Sequence, residues 1–403
     1  MKVLIADKFE KSGLEGLRAA GCNVIFEPDL KDDALTAALK EHDPSVLVVR
    51  STKVTSDMIK ACDGLAMILR AGAGYNTIDV EAASARGVAV ANCPGKNAVA
   101  VAELAMGLML ALDRRIADNT ADLRAGSWNK KEYSKAPGLK GRTLGVVGVG
   151  EIGKAVIARA LAFEMDVVAW SRSLTPAMAE ELGARFAGSV GEVAEQCDVL
   201  SLHVAAAAET KNLINAQILS KMKAGAYLIN TSRADVVDYD ALAAAVKEKN
   251  LRVGLDVYPA EPSSGTDSFR PAILDAGGVV YGTHHIGAST DQAQEAIAAE
   301  AVRVVATFNT TGQTLNCVNI ETKSVASCQI VVRHFDKVGV LAFVLDQLRA
   351  EQINVQEMSN TIYKGSKAAV ATMRLDKQPT AKVIADLVAK KDDIIQVQVK
   401  SVD

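Results

Sequence analysis

Three stretches of this sequence place ionisable side chains directly after apolar, strand-like runs. Ala226–Asn230 is followed by Thr231-Ser232-Arg233, Val253–Val257 by Tyr258-Pro259-Ala260-Glu261, and Val279–Tyr281 by Gly282-Thr283-His284-His285. Ligands of open α/β sheets sit beyond the carboxyl ends of the strands, so an Arg, a Glu and a His pair at successive ends can meet around one small molecule. These residue types suit hydride transfer from a 2-hydroxy acid. A guanidinium grips a carboxylate with two parallel hydrogen bonds and polarises the neighbouring carbonyl. An imidazole, near its pKa at neutral pH, takes the hydroxyl proton as hydride leaves. A carboxylate on the other ring nitrogen fixes the tautomer and stabilises the imidazolium. Singly, each is an ordinary surface or ion-pair residue. Together, next to a cofactor loop, they read as a site.

That loop is the strongest single signal. The apolar run Leu144–Val147 leads into Gly148-Val149-Gly150-Glu151-Ile152-Gly153, and a helical pattern opens at once. The first glycine allows a tight turn, the second lets backbone approach a pyrophosphate, and the third lets helix pack closely on strand. Free N–H groups at the helix start face the phosphates. Gly148, Gly150, Glu151, Ile152 and Gly153 are therefore the expected cofactor loop, because a bare GxGxxG becomes specific only between a strand and a helix. About twenty residues on, an acid ordinarily holds the ribose 2′-OH. Here Val167–Trp170 is followed by Ser171-Arg172-Ser173, with no carboxylate. Ser171 and Arg172 suit a 2′-phosphate, which favours NADP(H) over NAD(H). The alternative is that Arg172 stacks on the adenine and both cofactors bind.

Short apolar runs and amphipathic segments of 10–15 residues alternate along most of the chain, which predicts parallel sheets with crossover helices. Asn97–Arg115 is apolar on most faces, with Asn97 as N-cap, so it must be buried in a core or against another subunit. Asp291–Phe308 is a second long helical pattern, which Thr310-Thr311-Gly312-Gln313 is expected to break. From Ser327 the pattern reads strand, helix, strand, strand, helix, strand, a ferredoxin-like βαββαβ module. The fold class is thus α/β: two Rossmann-like doubly wound parallel-sheet domains followed by that smaller module.

Composition sets wider limits. A chain of 403 residues calls for two to three domains, and 49% hydrophobic with 23% charged residues is an ordinary globular balance. A net charge of −3 gives no reason to expect nucleic acid or an anionic membrane as partner. The apolar run after Met1 is too brief for a signal peptide, and Ala98–Leu112 is too short for a membrane span. Six scattered cysteines without a CxxC pair suggest reduced thiols, a cytoplasmic setting and no metal site.

The runs Asn230-Thr231-Ser232-Arg233, Leu255-Asp256-Val257-Tyr258-Pro259-Ala260-Glu261-Pro262 and His285-Ile286-Gly287-Ala288-Ser289-Thr290 resemble signature motifs of the D-2-hydroxyacid dehydrogenases. The resemblance covers about residues 1–320. It implies that Arg233 binds substrate, Glu261 orients the base and His285 is the acid/base, with Thr231 and Asp256 among the cofactor residues. His284 stands where the family usually has Pro. His203-Val204-Ala205 departs from the usual His-Val-Pro, and His203 is expected to line the cofactor. Family members split the substrate domain, which here implies 1–95 with 283–320, the dinucleotide domain 96–282 between them, and the Asn97–Arg115 helix buried at a dimer interface.

Within the family, Val49-Arg50-Ser51-Thr52-Lys53-Val54, Arg70-Ala71-Gly72-Ala73-Gly74-Tyr75-Asn76 and Asn92-Cys93-Pro94-Gly95-Lys96-Asn97 resemble the phosphoglycerate dehydrogenase branch. By that resemblance Arg50, Ser51 and Arg70 meet substrate phosphate or carboxylate, and Gly72, Ala73 and Gly74 present N–H groups to it. Lys130, in Trp128-Asn129-Lys130, reaches into a partner's site; the bland alternative is a solvated surface lysine. The expected assembly is a homodimer or homotetramer. Residues 325–403 resemble an ACT domain, the small-ligand regulatory unit of that branch, through His334–Leu341 and Asn354. The family usually has Pro at Val338 and often Asn at Asp336, so the module is read either as an amino-acid effector site or as a purely dimerising unit. The implied activity is oxidation of 3-phosphoglycerate in serine synthesis. A hydroxypyruvate or glyoxylate reductase is the alternative within the family, and a nucleotide-sensing corepressor the alternative of another class.

Overall fold

A computed structural model describes residues 1–262, 266–321 and 325–401. The chain divides into two compact units, Met1–Asn319 and Ile320–Asp403. Residues 402 and 403, the end of the expected C-terminal module, lie outside the described residues.

The first unit contains two sheets. β1 (Lys2–Ile5), β2 (Asn23–Phe26), β3 (Val46–Val49), β4 (Met67–Arg70) and β5 (Ala89–Asn92) form one, in the order β2-β1-β3-β4-β5. Every pair is parallel. The other holds β6 (Thr143–Val147), β7 (Asp166–Trp170), β8 (Arg185–Phe186), β9 (Val199–Leu202), β10 (Tyr227–Asn230), β11 (Arg252–Leu255) and β12 (Val280–Gly282). Its order is β12-β11-β10-β9-β6-β7-β8, also parallel throughout. The strand order reverses between β6 and β9, and a crevice opens at such a switch point. Inner strands such as β3 and β10 are buried along their whole length, which is why they read as continuous apolar runs. The edge strands are less covered: β2 (Asn-Val-Ile-Phe) is only partly buried and the two-residue β8 is exposed, and neither was among the strands read from the sequence.

Two expectations shift at the helices. The apolar helix, Ala98–Arg114, buries Ala102, Ala105, Met106, Leu108, Met109 and Leu112 in a core shared with Leu144, Val146, Val156 and Ile157. Most of its apolar surface is therefore covered from within the chain, while Val99 stays exposed. Asn97 occupies the N-cap position without a side-chain cap bond. The late helix runs Asp291–Thr311, taking in the two threonines expected to break it, and stops at Gly312 in the left-handed region (φ 73°). Its Ile297, Ala301, Val304 and Val305 pack with Val3, Ile5, Val46 and Val48 of the first sheet. Just beyond, the Val318 N–H donates to the Val90 carbonyl at 2.8 Å, so residues 291–319 are built onto the N-terminal strands.

The second unit is an antiparallel sheet of β13 (Cys328–Phe335), β14 (Val355–Ile362), β15 (Ala368–Leu375) and β16 (Ile394–Ser401), ordered β14-β15-β13-β16. Helices Val340–Ala350 and Ala381–Ala389 complete the βαββαβ sequence. They bury Val340, Val344, Leu348, Val383 and Leu387 against Ile330, Val332, Ala371 and Met373.

Candidate active site

The glycine loop adopts the geometry its chemistry requires. Gly148 has φ 97°, a value that side chains resist, and its N–H donates to the Trp170 carbonyl at 2.8 Å. A Cβ on Gly153 would stand 2.0 Å from the Gly148 carbonyl oxygen, whereas one on Gly150 would meet nothing within 4 Å. The loop is thus locked on one side and open on the other, at the start of helix Glu151–Ala162. Ser171, half-buried, and Arg172, exposed and without an ion pair among the described residues, follow β7.

The carboxyl ends of β9, β10, β11 and β12 form a row, because these strands are neighbours in the sheet. After β9, one nitrogen of His203, Nε2, lies 2.8 Å from Ser201 Oγ, and the buried Nδ1 has no partner. Burial pushes its pKa down to about 4, so the ring is neutral. After β10, the buried Thr231 hydroxyl likewise finds no partner. After β11, Asp256 is buried and accepts hydrogen bonds from Thr283 Oγ1 at 2.6 Å, Ile286 N–H at 2.9 Å and Gly287 N–H at 2.8 Å. Both of its oxygens therefore hold the loop that carries the histidines.

That loop sets His285 at φ 53°, an uncommon backbone for a residue with a side chain, which the Asp256 bonds on both sides sustain. His285 Nδ1 lies 2.6 Å from Glu261 Oε2. The other carboxylate oxygen of Glu261 accepts the Tyr258 N–H at 2.6 Å. Partial burial raises the Glu261 pKa, but the His285 and Tyr258 hydrogen bonds outweigh it and hold the carboxyl below its usual range. His285 remains half-exposed with Nε2 unengaged, while His284 is exposed and has no hydrogen bond among the described residues. The structure thus brings Glu261 to His285 and leaves His284 aside.

Arg233 lies close enough to Glu261 to feel its charge. On another side it abuts the Gly72–Gly74 turn: a Cβ on Gly74 would come within 2.4 Å of its Nη2. Arg70 and Arg50 join it. Burial first, then the charges of Arg233 and Arg50, lowers the Arg70 pKa to about 10. Arg70 Nε donates to the Arg50 carbonyl at 3.0 Å, and Arg233 Nη1 to the Ser232 carbonyl at 2.7 Å. None of the three guanidiniums forms an ion pair among the described residues, although Arg233 feels Glu261 and Arg70 feels Asp7. The Ser51 N–H and hydroxyl are both bonded to Asp7, which also accepts the Arg50 N–H. Lys130 begins an exposed helix, Lys130–Tyr133, and is not brought to the guanidiniums within one chain.

Comparison with known proteins decides the family. Residues 106–287 match the model of the D-isomer specific 2-hydroxyacid dehydrogenase NAD-binding domain. A hydroxypyruvate reductase of Thermotoga maritima is 40% identical over 307 residues, 75% of this chain and 97% of that protein. The chain belongs to the D-isomer specific 2-hydroxyacid dehydrogenases. A D-3-phosphoglycerate dehydrogenase of Methanocaldococcus jannaschii is 37% identical over 325 residues, 79% of this chain but only 60% of the relative. The NAD⁺-bound 3-phosphoglycerate dehydrogenase of Entamoeba histolytica shares the fold, with a TM-score of 0.66 at 28% identity over 79% of this chain and 99% of that one.

As a member of this NAD-dependent oxidoreductase family, the chain fits its cofactor on observations of its own. Gly150 leaves open the approach to the helix start, and His203 Nδ1 and Thr231 Oγ1 are buried polar atoms lacking partners at the same row of strand ends. Among the described residues, no cluster of three or more His, Cys, Asp or Glu could hold a metal. All six cysteines are free, and no described helix is long and apolar enough to cross a membrane. Two residues that reading the sequence did not single out emerge here. Asp7 accepts the N–H groups of Arg50, Ser51 and Thr52, and Asn92 reaches the Gly72–Gly74 turn. Their signal was only a polar residue at or just past the end of an apolar strand.

Proposed function

We propose that the protein catalyses the reversible oxidation of D-3-phosphoglycerate to 3-phosphohydroxypyruvate. The observation that carries this is the set of three guanidiniums, Arg50, Arg70 and Arg233, gathered without an acid partner beside the Glu261–His285 pair. Buried charges call for compensation, and a substrate with both a carboxylate and a phosphate supplies more of it than glyoxylate does. Arg233 grips the carboxylate and polarises the reacting carbon, while Arg70 and Arg50 hold the phosphate. A nicotinamide held at the glycine loop would supply the hydride acceptor or donor beside these residues. His285 Nε2 takes the hydroxyl proton, and Glu261 on Nδ1 keeps the ring oriented and stabilises its charged form. Asp256 serves this chemistry through the His285 loop, and Ser51 through the Arg50 loop.

Hydroxypyruvate or glyoxylate reduction is the second reading, favoured by likeness to the Thermotoga maritima reductase. The Ser171-Arg172 pair, with no carboxylate after β7, supports use of NADP(H) alongside NAD(H). Lys130 adds its charge to the cleft of a second copy. The deciding experiment is a steady-state assay of 3-phosphoglycerate, hydroxypyruvate and glyoxylate with NAD(H) and NADP(H), repeated for Arg50→Ala and Arg70→Ala. Loss of a charged hydrogen bond should lower kcat/KM for the phosphorylated substrate by roughly 10- to 100-fold and leave glyoxylate nearly unchanged. Equal losses on both substrates would overturn the phosphate site.

A further inference from the structure

We infer that Asn92 is a positioning residue for the anionic end of the substrate, acting through the Gly72-Ala73-Gly74 turn. The inference rests on the reading of the Arg233 cleft as the acid-binding site.

A trans peptide points its carbonyl and the following N–H in opposite directions. Two carbonyls of the turn are fixed from the β5 side. The Cys93 N–H donates to the Gly72 carbonyl at 2.9 Å, and the Asn92 side-chain amide donates to the Ala73 carbonyl at 2.6 Å. The N–H groups that share those peptide planes, on Ala73 and Gly74, must then point away from β5. Neither has an acceptor among the described residues. Gly74 itself lies against Arg233, so the turn presents two neutral donors beside that guanidinium. Were the Ala73–Gly74 plane to flip, a carbonyl oxygen would replace a donor there and repel an anion.

Asn92 is held so that it can do this. It is the register partner of Arg70 across β4 and β5, and only 8% exposed. Its N–H donates to the Asn316 carbonyl at 3.4 Å, and Asn316 Nδ2 donates back to the Asn92 carbonyl at 3.1 Å. Asn316 also donates to Glu300 Oε1 at 2.8 Å, and the buried Glu300 pairs with Arg303 at 2.6 Å and Lys96 at 3.5 Å. A chain of bonds thus runs from the Asp291–Thr311 helix to the turn. Because the acceptor is a carbonyl, the amide orientation of Asn92 is forced, and an aspartate at this position would repel the oxygen that the amide now holds.

The test is titration of oxalate, a planar dicarboxylate, into the full-length protein with saturating NADH. NADH binding alone and hydroxypyruvate kinetics accompany it. Asn92→Ala removes the donor, and the isosteric Asn92→Asp converts it to an acceptor, which carries the test if the alanine variant does not fold. Oxalate affinity should fall about tenfold in Asn92→Ala and further in Asn92→Asp, with KM for hydroxypyruvate rising in step. The kcat and the NADH affinity should stay within about twofold, a split that a general loss of structure would not produce. Unchanged oxalate affinity in both variants, or an equal loss of NADH affinity, would overturn the role of Asn92. Failure of the unmodified protein to bind oxalate would instead remove the reading of the cleft, and this inference with it.

Discussion

The first unit gathers arginines at two places, and the two are built differently. At the amino ends of β6, β10 and β11, Arg142 lies 4.3 Å over the Tyr227 ring and 3.6 Å from Asp113, and donates to the Asp198 carbonyl. Arg252 also lies over that ring, 5.4 Å from its centre, and donates to the Leu112 carbonyl at 2.9 Å. The Tyr227 hydroxyl donates to Asp113 at 3.0 Å. Acid, aromatic face and carbonyls surround these cations from within the chain, although Arg142 Nη1 has no hydrogen-bond partner among the described residues. At the carboxyl ends, burial and then the nearby charges of Arg233 and Arg50 lower the Arg70 pKa. None of the three forms an ion pair among the described residues, Glu261 and Asp7 acting only from a distance. The same residue type therefore closes the amino end of the second sheet and leaves an anion-shaped requirement where the carboxyl ends of the two sheets supply Arg50, Arg70 and Arg233. Neutralised arginines mark a structural joint; mutually repelling ones, held together by the fold, mark a binding site.

Exchanging the two roles by mutation is the sharpest way to break this contrast. Arg233→Ala should lower kcat/KM by about 10³-fold, because it removes a desolvated, two-pronged contact to the substrate, while the denaturant midpoint holds or rises as repulsion is relieved. Arg142→Ala should do the opposite, costing about 3 kcal/mol of stability as Asp113 loses its partner, with KM unchanged. If Arg233→Ala destabilises the protein as much as Arg142→Ala does, the contrast is false.

The next effect depends on pH. The folded His203 ring resists protonation down to about 4, whereas an unfolded histidine takes up its proton near 6.5. Below 6.5 the unfolded chain binds more protons, so this group lowers stability as pH falls from about 6.5 toward about 4. His203→Asn should flatten that part of a stability-against-pH curve; an unaltered slope would show that the ring is not kept neutral. The smallest expected change is Tyr227→Phe, which removes the bond to Asp113 but leaves the ring beneath both arginines. It should cost about 1 kcal/mol, measured by denaturant unfolding.

The parts of this site that local sequence specifies were legible in advance. The glycine turn needs only a strand, three glycines and a helix start, and Arg233, Glu261 and the His284-His285 pair follow from the ends of apolar runs, the choice of His285 resting on the family resemblance. Residues whose role depends on pairing between distant strands were not legible. Asp7 acts on a loop forty residues away because β1 lies beside β3, and Asn92 acts on the turn after β4 because β5 lies beside it. The apolar helix Ala98–Arg114 had to be buried, but periodicity alone does not reveal against what, and the answer proved to be its own sheet. The threonines at 310 and 311 stay in the helix, their hydroxyls bonded back to the Ala306 and Thr307 carbonyls, and the stop comes one residue later at Gly312.

The most direct test of the central geometry sets the adjacent imidazoles against each other. Turnover of hydroxypyruvate and of 3-phosphoglycerate should be measured for His285→Ala and His284→Ala, with cofactor affinity determined in each. The Glu261 bond to His285 leads us to expect a loss of roughly 10³-fold in kcat for His285→Ala with cofactor binding retained, and little change for His284→Ala. Full turnover in His285→Ala, with the loss falling on His284→Ala, would contradict the assignment of the proton-transfer pair.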